Sequence, residues 1–200
     1  MSGTTRPYHH GDLRRTILDA AVATIAESGP AAVSLRALAR RAGVSHAAPA
    51  HHFGDKAGLL TALAAEGYEQ LAEALTEAQE RTGEFLEVGV TYVRFAIENR
   101  AHFEVMYRPD LYHPDDLAVR DARARAGRAL YAGVATVQSR PADVDTRVAG
   151  VAAWSLVHGF ASLWLHGSLP AELRDDPYAA ARAVAGVLFQ AAGGQAPNHP

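Results

Sequence analysis

The apolar residues of this chain recur with the period of an α-helix along almost its whole length. Leu13, Ile17, Ala21 and Ile25, for example, would share one face of a helix. Sustained alternation of apolar and polar residues is absent from the sequence, and no Asn-Gly or Asp-Gly pair suggests a hairpin. The sequence therefore predicts an all-α fold of about nine helices.

Capping residues, glycines and prolines divide this pattern into separate helices. The predicted N-caps of the first four helices are Asp12, Ser34, Ser45 and Asp55. The fourth helix is predicted to run from Lys56 to about Gln79, and Pro177 suits the first turn of the last helix. The later helices are predicted over 84–99, 101–107, 115–138, 143–167 and 177–191.

Charge is distributed unevenly along the chain. Residues 1–60 hold seven Lys/Arg and four Asp/Glu, whereas the remainder holds twelve and eighteen. A basic segment attached to an acidic body favours a nucleic-acid-binding module joined to a second domain. We therefore divide the chain into a basic segment over 1–60, a body over 61–193 and a tail over 194–200 that we expect to be disordered.

Two further features concern the compartment. The chain contains no cysteine, which excludes disulfides and favours a reducing, cytoplasmic location. Residues 148–165 are uncharged over a length that could span a membrane. This segment contains polar residues and glycines, so we expect a helix buried in a core or a subunit interface and no membrane partner.

Two short helices over 34–53 are joined by a tight turn at Ala42, Gly43 and Val44. This spacing lets the second helix cross the first steeply and enter the major groove of DNA. Small Ala39 would allow the helices to approach closely. On spacing alone, a helix-turn-helix and an ordinary helical hairpin are equal alternatives.

The strings LRRTILDAAVATIAESG, SLRALARRAGVS and HHFGDKAGLL closely resemble the DNA-binding domain of the tetracycline-repressor (TetR) family. The resemblance covers about the first 60 residues and implies a transcriptional regulator, with a DNA-binding domain over 1–60 and a ligand-binding and dimerisation domain over 61–193. The expected form is a repressor that binds a palindromic operator as a homodimer. The residues it implies at the major groove are Ser45, His46, Ala47 and His51. Those it implies near phosphates or flanking bases are Arg36, His52 and Lys56. A lysine at a helix N-terminus suits a phosphate.

Two residues depart from the family pattern. Ala50 stands where the family often has an aromatic residue that contacts the DNA backbone, and Pro49 removes one N–H from the recognition helix. An alternative is therefore a helical ligand-binding or adaptor protein with impaired DNA binding.

Enzymatic and metal chemistry find little support in the sequence. It contains no nucleophile motif, phosphate loop or paired-carboxylate site, so we expect neither an enzyme nor a cofactor. The histidines at His46, His51 and His52, with His9 and His10, raise the question of a metal site. No carboxylate or cysteine completes a ligand set at suitable spacing, so we expect no metal.

The segment Ala153–Phe160 resembles the Trp…His-Gly signature of a subgroup of TetR-like C-terminal domains. That resemblance implies a four-helix dimer interface built from helices 143–167 and 177–191, with helices 84–138 around an effector pocket. The residues we expect to contact a small, largely apolar effector are Tyr92, Phe103, Met106, Tyr107, Tyr131, Trp154 and His158. For Trp154 and His158, plain core packing is the alternative. The effector would shift the dimer towards a state with lower affinity for DNA.

Overall fold

The computed structural model of the chain describes residues 10–132, 134 and 145–191. Within these ranges the regular elements are helices and no strand occurs, which confirms the all-α prediction. The nine α-helices described are α1 (His10–Ser28), α2 (Leu35–Arg41), α3 (Ala48–Phe53), α4 (Lys56–Thr82), α5 (Phe85–Glu98), α6 (Arg100–Met106), α7 (Leu117–Ala132), α8 (Thr146–Leu165) and α9 (Pro177–Ala191). Short 3-10 turns lie at Pro30–Ala32, Pro109–Leu111 and Ala171–Leu173.

Aspartate side chains set the starts of four helices. The Asp55 carboxylate accepts a hydrogen bond from the backbone N–H of Gly58 at 2.8 Å, which confirms the predicted cap of α4. Asp176 caps α9 in the same way, ahead of its initial proline. Asp116 and Asp145 cap α7 and α8, so these helices begin two and three residues later than the sequence suggested.

Two predicted caps are wrong. Asp12 lies within α1, which already begins at His10. Ser45 precedes α3 by three residues, and its backbone carbonyl accepts a bond from the N–H of Ala48 at 3.1 Å. The position of Pro49 explains this, because proline fits only the first turn of a helix and so makes α3 start at Ala48.

Residues 10–67 form one compact unit together with Ala101–Arg120. Its apolar core comes from α1, α2 and the start of α4, including Ile17, Leu18, Ile25, Leu38, Leu59 and Leu63. The segment after α6 is fastened to α4, because the Thr61 hydroxyl accepts a hydrogen bond from the backbone N–H of His113 at 3.0 Å. The Tyr112 hydroxyl donates to the carbonyl of Met106 at 2.9 Å. Residues 101–120 are therefore structurally part of the N-terminal unit.

The second unit comprises residues 68–100 and the described residues between 121 and 191. Helix α5 is its centre and packs against both α8 and α9, which also contact each other. Its buried face carries Val88, Tyr92, Val93, Phe95 and Ala96. At its edge, Arg182 of α9 forms an ion pair with Glu87 of α5. Burial of these apolar faces accounts for most of the stability of such a helical bundle.

Gly150 permits a close contact in this unit. A Cβ atom at Gly150 would lie 2.2 Å from Cδ1 of Tyr131, so the ring lies directly on the backbone of α8. We expect Gly150→Ala to lower the free energy of unfolding by about 1–3 kcal/mol, since the ring must be displaced. Gly127→Ala is the matched control, because its Cβ would lie 3.9 Å from the same ring, and it should be neutral or stabilising. Urea denaturation measures both changes, and equal effects would contradict the expectation.

Candidate functional site

The turn between α2 and α3 has the geometry of a helix-turn-helix. Gly43 has a φ of +67°, a left-handed conformation that favours glycine. The N–H of Val44 then bonds back to the carbonyl of Ala39 at 2.9 Å, which closes the turn. The buried Ala39 side chain allows α3 to pack closely on α2.

The helix α3 and the turn before it present an exposed polar face. Ala48 and Pro49 are buried against the unit. In contrast, the residues predicted at the groove, Ser45, His46, Ala47 and His51, are all exposed, as is Ala50. His52 is half-buried beside Phe53, at a distance of 6.2 Å between ring centroids. The predicted groove residues are therefore all accessible, and we call these four residues the α3 face.

The arginines of α2 differ in their availability. Arg41 forms two hydrogen bonds of 2.7 Å with the carboxylate of Glu27, which lowers the pKa of that carboxyl and braces α2 on α1. Arg36 and Arg40 are exposed and form no ion pair with any residue that the structure describes. Lys56 donates to the carbonyl of Ala31 at 3.0 Å and keeps two N–H groups for another acceptor.

Sequence reasoning missed Arg14 as a candidate for this surface. Its guanidinium carbon lies 5.4 Å from the ring centroid of Phe53, at the C-terminal end of α3. Arg14 is exposed on α1, so its charge is placed beside the recognition helix. No local pattern could reveal this contact, because it joins residues far apart in the sequence.

The histidines of this region do not form a metal centre in the described part of the chain. His51 and His52 are adjacent, with ring centroids 5.4 Å apart and planes almost perpendicular. No three His, Asp or Glu side chains come together as ligands among the residues described. His9 and the side chain of His10 lie outside that part.

Three of the predicted effector contacts meet in the second unit. The Tyr92 hydroxyl lies 2.9 Å from Nδ1 of His158 and accepts a hydrogen bond from the Trp154 indole N–H at 3.2 Å. Tyr92 is buried, whereas the other two are half-buried. Burial lowers the pKa of His158, which keeps the imidazole neutral at neutral pH. These three residues, the Tyr92 cluster, combine aromatic surface with polar groups.

The other predicted effector contacts are placed differently. Phe103, Met106 and Tyr107 belong to the first unit, where the rings of Phe103 and Tyr107 lie 4.9 Å apart. Met106 is buried against α4. Tyr131 belongs to the second unit and covers Gly150 instead of joining the Tyr92 cluster. The predicted effector contacts therefore include residues of both units.

A small apolar crevice lies between α5, α7, α8 and α9. Its volume is about 20 Å³, which is room for one water-sized sphere. The lining residues are Phe85, Leu86, Gly89, Leu130, Ala153, Leu156, Val157 and Ala185. Any larger molecule in this crevice requires the four helices to move apart.

Helix α8 exposes an apolar surface. Val148, Val151 and Leu163 are 62%, 49% and 48% exposed, and Val187 of α9 is 62% exposed. Around Gly159, a Cβ would meet no atom within 4 Å. Only 22% of an 18-residue window of α8 is buried within the chain. By length and composition this helix could also cross a membrane, which is weak evidence by itself.

The first unit contains a polar network that the sequence did not suggest. Glu66 of α4 accepts hydrogen bonds from Arg15 of α1 at 2.7 Å and pairs with Nε2 of His102 of α6 at 3.0 Å. The His102 side chain is only 7% exposed. Its hydrogen bond, reinforced by Arg15, lowers the pKa of Glu66 to about 2 despite partial burial.

This depressed pKa makes stability depend on acidity. Because the carboxyl titrates near 4.5 when unfolded and near 2 when folded, the Glu66 contribution is complete above about pH 5 and is lost as pH falls to about 2. We expect Glu66→Gln to lower the free energy of unfolding by about 2 kcal/mol at neutral pH and by progressively less in acid. Glu69→Gln, which breaks an exposed ion pair with Arg125, should cost less than about 1 kcal/mol. Urea titrations at several pH values test this, and a pH-independent cost for Glu66→Gln would contradict it.

Comparison with known proteins identifies the class of this fold. Residues 17–63 match a family model described as bacterial regulatory proteins of the tetR family. Residues 85–188 match one described as tetracyclin repressor-like, C-terminal domain. Comparison with curated proteins gives no match.

Solved structures agree with the family models. A protein of unknown function from a Rhodococcus species is 33% identical, with 94% of this chain and 98% of that chain covered and a TM-score of 0.77. The TetR family transcriptional regulator PfmR from Thermus thermophilus is 26% identical, covering 87% and 97%, with a TM-score of 0.66. NalD, the secondary repressor of the MexAB-OprM multidrug efflux pump in Pseudomonas aeruginosa, is 22% identical, covering 90% and 95%, with a TM-score of 0.60, and shows the shared fold.

The helix-turn-helix and the helical second unit define a DNA-binding regulatory protein. The chain belongs to the TetR family of transcriptional regulators. It is accordingly a regulator and not an enzyme.

Proposed function

We propose that the chain is a ligand-responsive repressor that binds a palindromic operator in the cytoplasm. The observation that carries this proposal is the α3 face, on which Ser45, His46, Ala47 and His51 are all exposed around a closed helix-turn-helix. Histidine and serine side chains can bond to base edges or phosphates. Arg36, His52 and Lys56 supply donors for phosphates beside this face.

Exposed arginines support an electrostatic contribution. Arg36 and Arg40, together with Arg14 beside α3, place positive charge next to the groove residues. A protein that neutralises phosphates releases counterions from DNA, so its affinity falls with salt. The buried position of Pro49 in the first turn of α3 keeps the helix intact and argues against the adaptor alternative.

The active form is proposed to be a homodimer formed through α8 and α9. A monomer in water would leave Val148, Val151, Leu163 and Val187 exposed. Around Gly159 and Gly186 a Cβ would meet no atom within 4 Å, so another helix could approach closely. A symmetric interface would cover these exposed side chains on both protomers at once. It would also hold the two recognition helices about one turn of DNA apart. Burial in this dimer interface would account for the apolar surface of α8 without insertion of the helix into a membrane.

The effector is proposed to be a small, largely apolar molecule bound at the Tyr92 cluster. Neutral His158 and the Trp154 indole provide polar handles within an aromatic surrounding. Tyr131, the α6 residues Phe103 and Met106, and Tyr107 directly after α6 remain proposed contacts. By linkage, an effector that favours a state with poorly spaced recognition helices lowers the affinity for operator.

The test is a fluorescence-anisotropy titration of the protein against DNA from upstream of its own gene, at two salt concentrations. We expect sequence-specific binding that weakens with salt, with two subunits on each palindrome. If that DNA does not bind, selection from random-sequence DNA provides the second arm. Failure of both arms would reject the regulator proposal in favour of the adaptor alternative.

A further inference from the structure

We infer that Glu66 is a positioning residue that ties α6 to α1, so that a displacement of α6 is carried to the DNA-binding helices. The inference rests on the proposed function, because it assigns a route by which an effector acts on the helix-turn-helix. All the groups involved belong to the first compact unit.

Each oxygen of the Glu66 carboxylate bonds to a side chain from a different helix. Oε2 accepts from Nη1 of Arg15 on α1 at 2.7 Å, and Oε1 pairs with Nε2 of His102 on α6 at 3.0 Å. The Glu66 side chain is 20% exposed and that of His102 is 7% exposed. Separation of the pair with Glu66 would leave the buried His102 imidazole without its partner, which costs far more than loss of a surface ion pair. The Arg15 side chain is 44% exposed, so its bond to Glu66 contributes less.

Helices α4 and α6 are closely packed beside the Glu66 carboxylate. A Cβ atom at Gly67 would lie 2.6 Å from Sδ of Met106 and 3.0 Å from Cβ of His102. Helix α6 therefore lies directly against the backbone of α4. Because interiors of this density do not deform smoothly, α6 cannot shift without moving the group that holds Arg15.

Helices α6 and α1, which the Glu66 carboxylate connects, carry or contact residues with the proposed roles. Helix α6 carries Phe103 and Met106, two proposed effector contacts. Helix α1 braces α2 through the Glu27–Arg41 pair and meets the end of α3 through Arg14. The network thus offers a continuous path from a proposed effector contact to the recognition helix within one unit.

The first test uses hydrogen exchange and needs no DNA. Arg15→Gln changes only the surface of α1, yet we expect it to accelerate amide exchange in α6 at least about threefold, because the tie is broken. Asp19→Asn is the matched control, since it removes the other carboxylate partner of Arg15 and leaves the bond to Glu66. Unchanged exchange in α6 of Arg15→Gln would overturn the inference.

The second test uses operator DNA selected from a random pool by the wild-type protein. Gly67→Ala acts as a wedge between α4 and α6, and we expect it to change the operator Kd about tenfold in the wild-type background. In the Arg15→Gln background the same wedge should change Kd less than about twofold. Equal fold-changes in the two backgrounds would refute the coupling.

Two checks keep the outcomes distinct. Thermal unfolding shows whether Gly67→Ala is folded at the assay temperature, and Met106→Leu replaces it as the α6 perturbation if it is not. If the wild type selects no DNA, the proposed function fails, whereas the exchange experiment still decides whether α1 and α6 are coupled.

Discussion

Glutamate in place of His51 is expected to weaken operator binding at least about 100-fold, with little change in stability. His51 is an exposed residue of the α3 face, so in the proposed complex the new carboxylate would lie in the groove among phosphates. A dimer carries the substitution twice, and about 1.4 kcal/mol in each half-site already gives a hundredfold loss. Fluorescence anisotropy against the selected operator measures the effect, and circular dichroism follows the fold.

His113→Glu is the matched control for this charge change. His113 is also an exposed histidine of the first unit; its backbone N–H donates to Thr61 and its carbonyl accepts from the N–H of Asp116. We expect its operator Kd to stay within about threefold of the wild type, since long-range charge is screened beyond about a Debye length. Equal losses in the two variants would mean that net charge, and not the α3 face, governs binding.

Aspartate in place of Val151 is expected to convert the dimer to a monomer and to weaken operator binding at least about 100-fold. Val151 is 49% exposed on α8, about one helical turn after the exposed Val148. In a symmetric interface two carboxylates would be buried near one another without partners, which costs several kcal/mol. Monomers would also lose the gain in affinity that comes from holding two half-sites together.

Leu117→Asp is the control for the loss of an exposed apolar side chain. Leu117 is 73% exposed on α7, more than any of the valines on α8 and α9. We expect it to remain dimeric in sedimentation-velocity experiments and to keep the wild-type Kd. A wild-type protein that sediments as a monomer would reject the proposed interface, and a Val151→Asp dimer would place the interface elsewhere.

Local sequence determined the helices and the turn of the DNA-binding unit. The left-handed Gly43, the capping aspartates Asp55 and Asp176, and the apolar faces of α1 and α4 act through neighbours within about four residues. The family resemblance of the first 60 residues was visible for the same reason, and the family models confirm it. The groove residues were implied by that resemblance, and all four are exposed in the structure.

Tertiary structure alone decided the contacts between distant segments. The bond between Arg15 and Glu66 spans 51 residues and that between Tyr92 and His158 spans 66, so neither leaves a periodic pattern in the sequence. The same is true of α6, which returns to the N-terminal unit although it follows α5 in the chain. Side-chain direction and helix packing determine which of these residues meet. Both depend on how all the apolar helix faces pack together, and local spacing does not determine them. The sequence by itself therefore determined which helices form and the cap at Asp55, whereas the packing of the helices decided which polar groups meet.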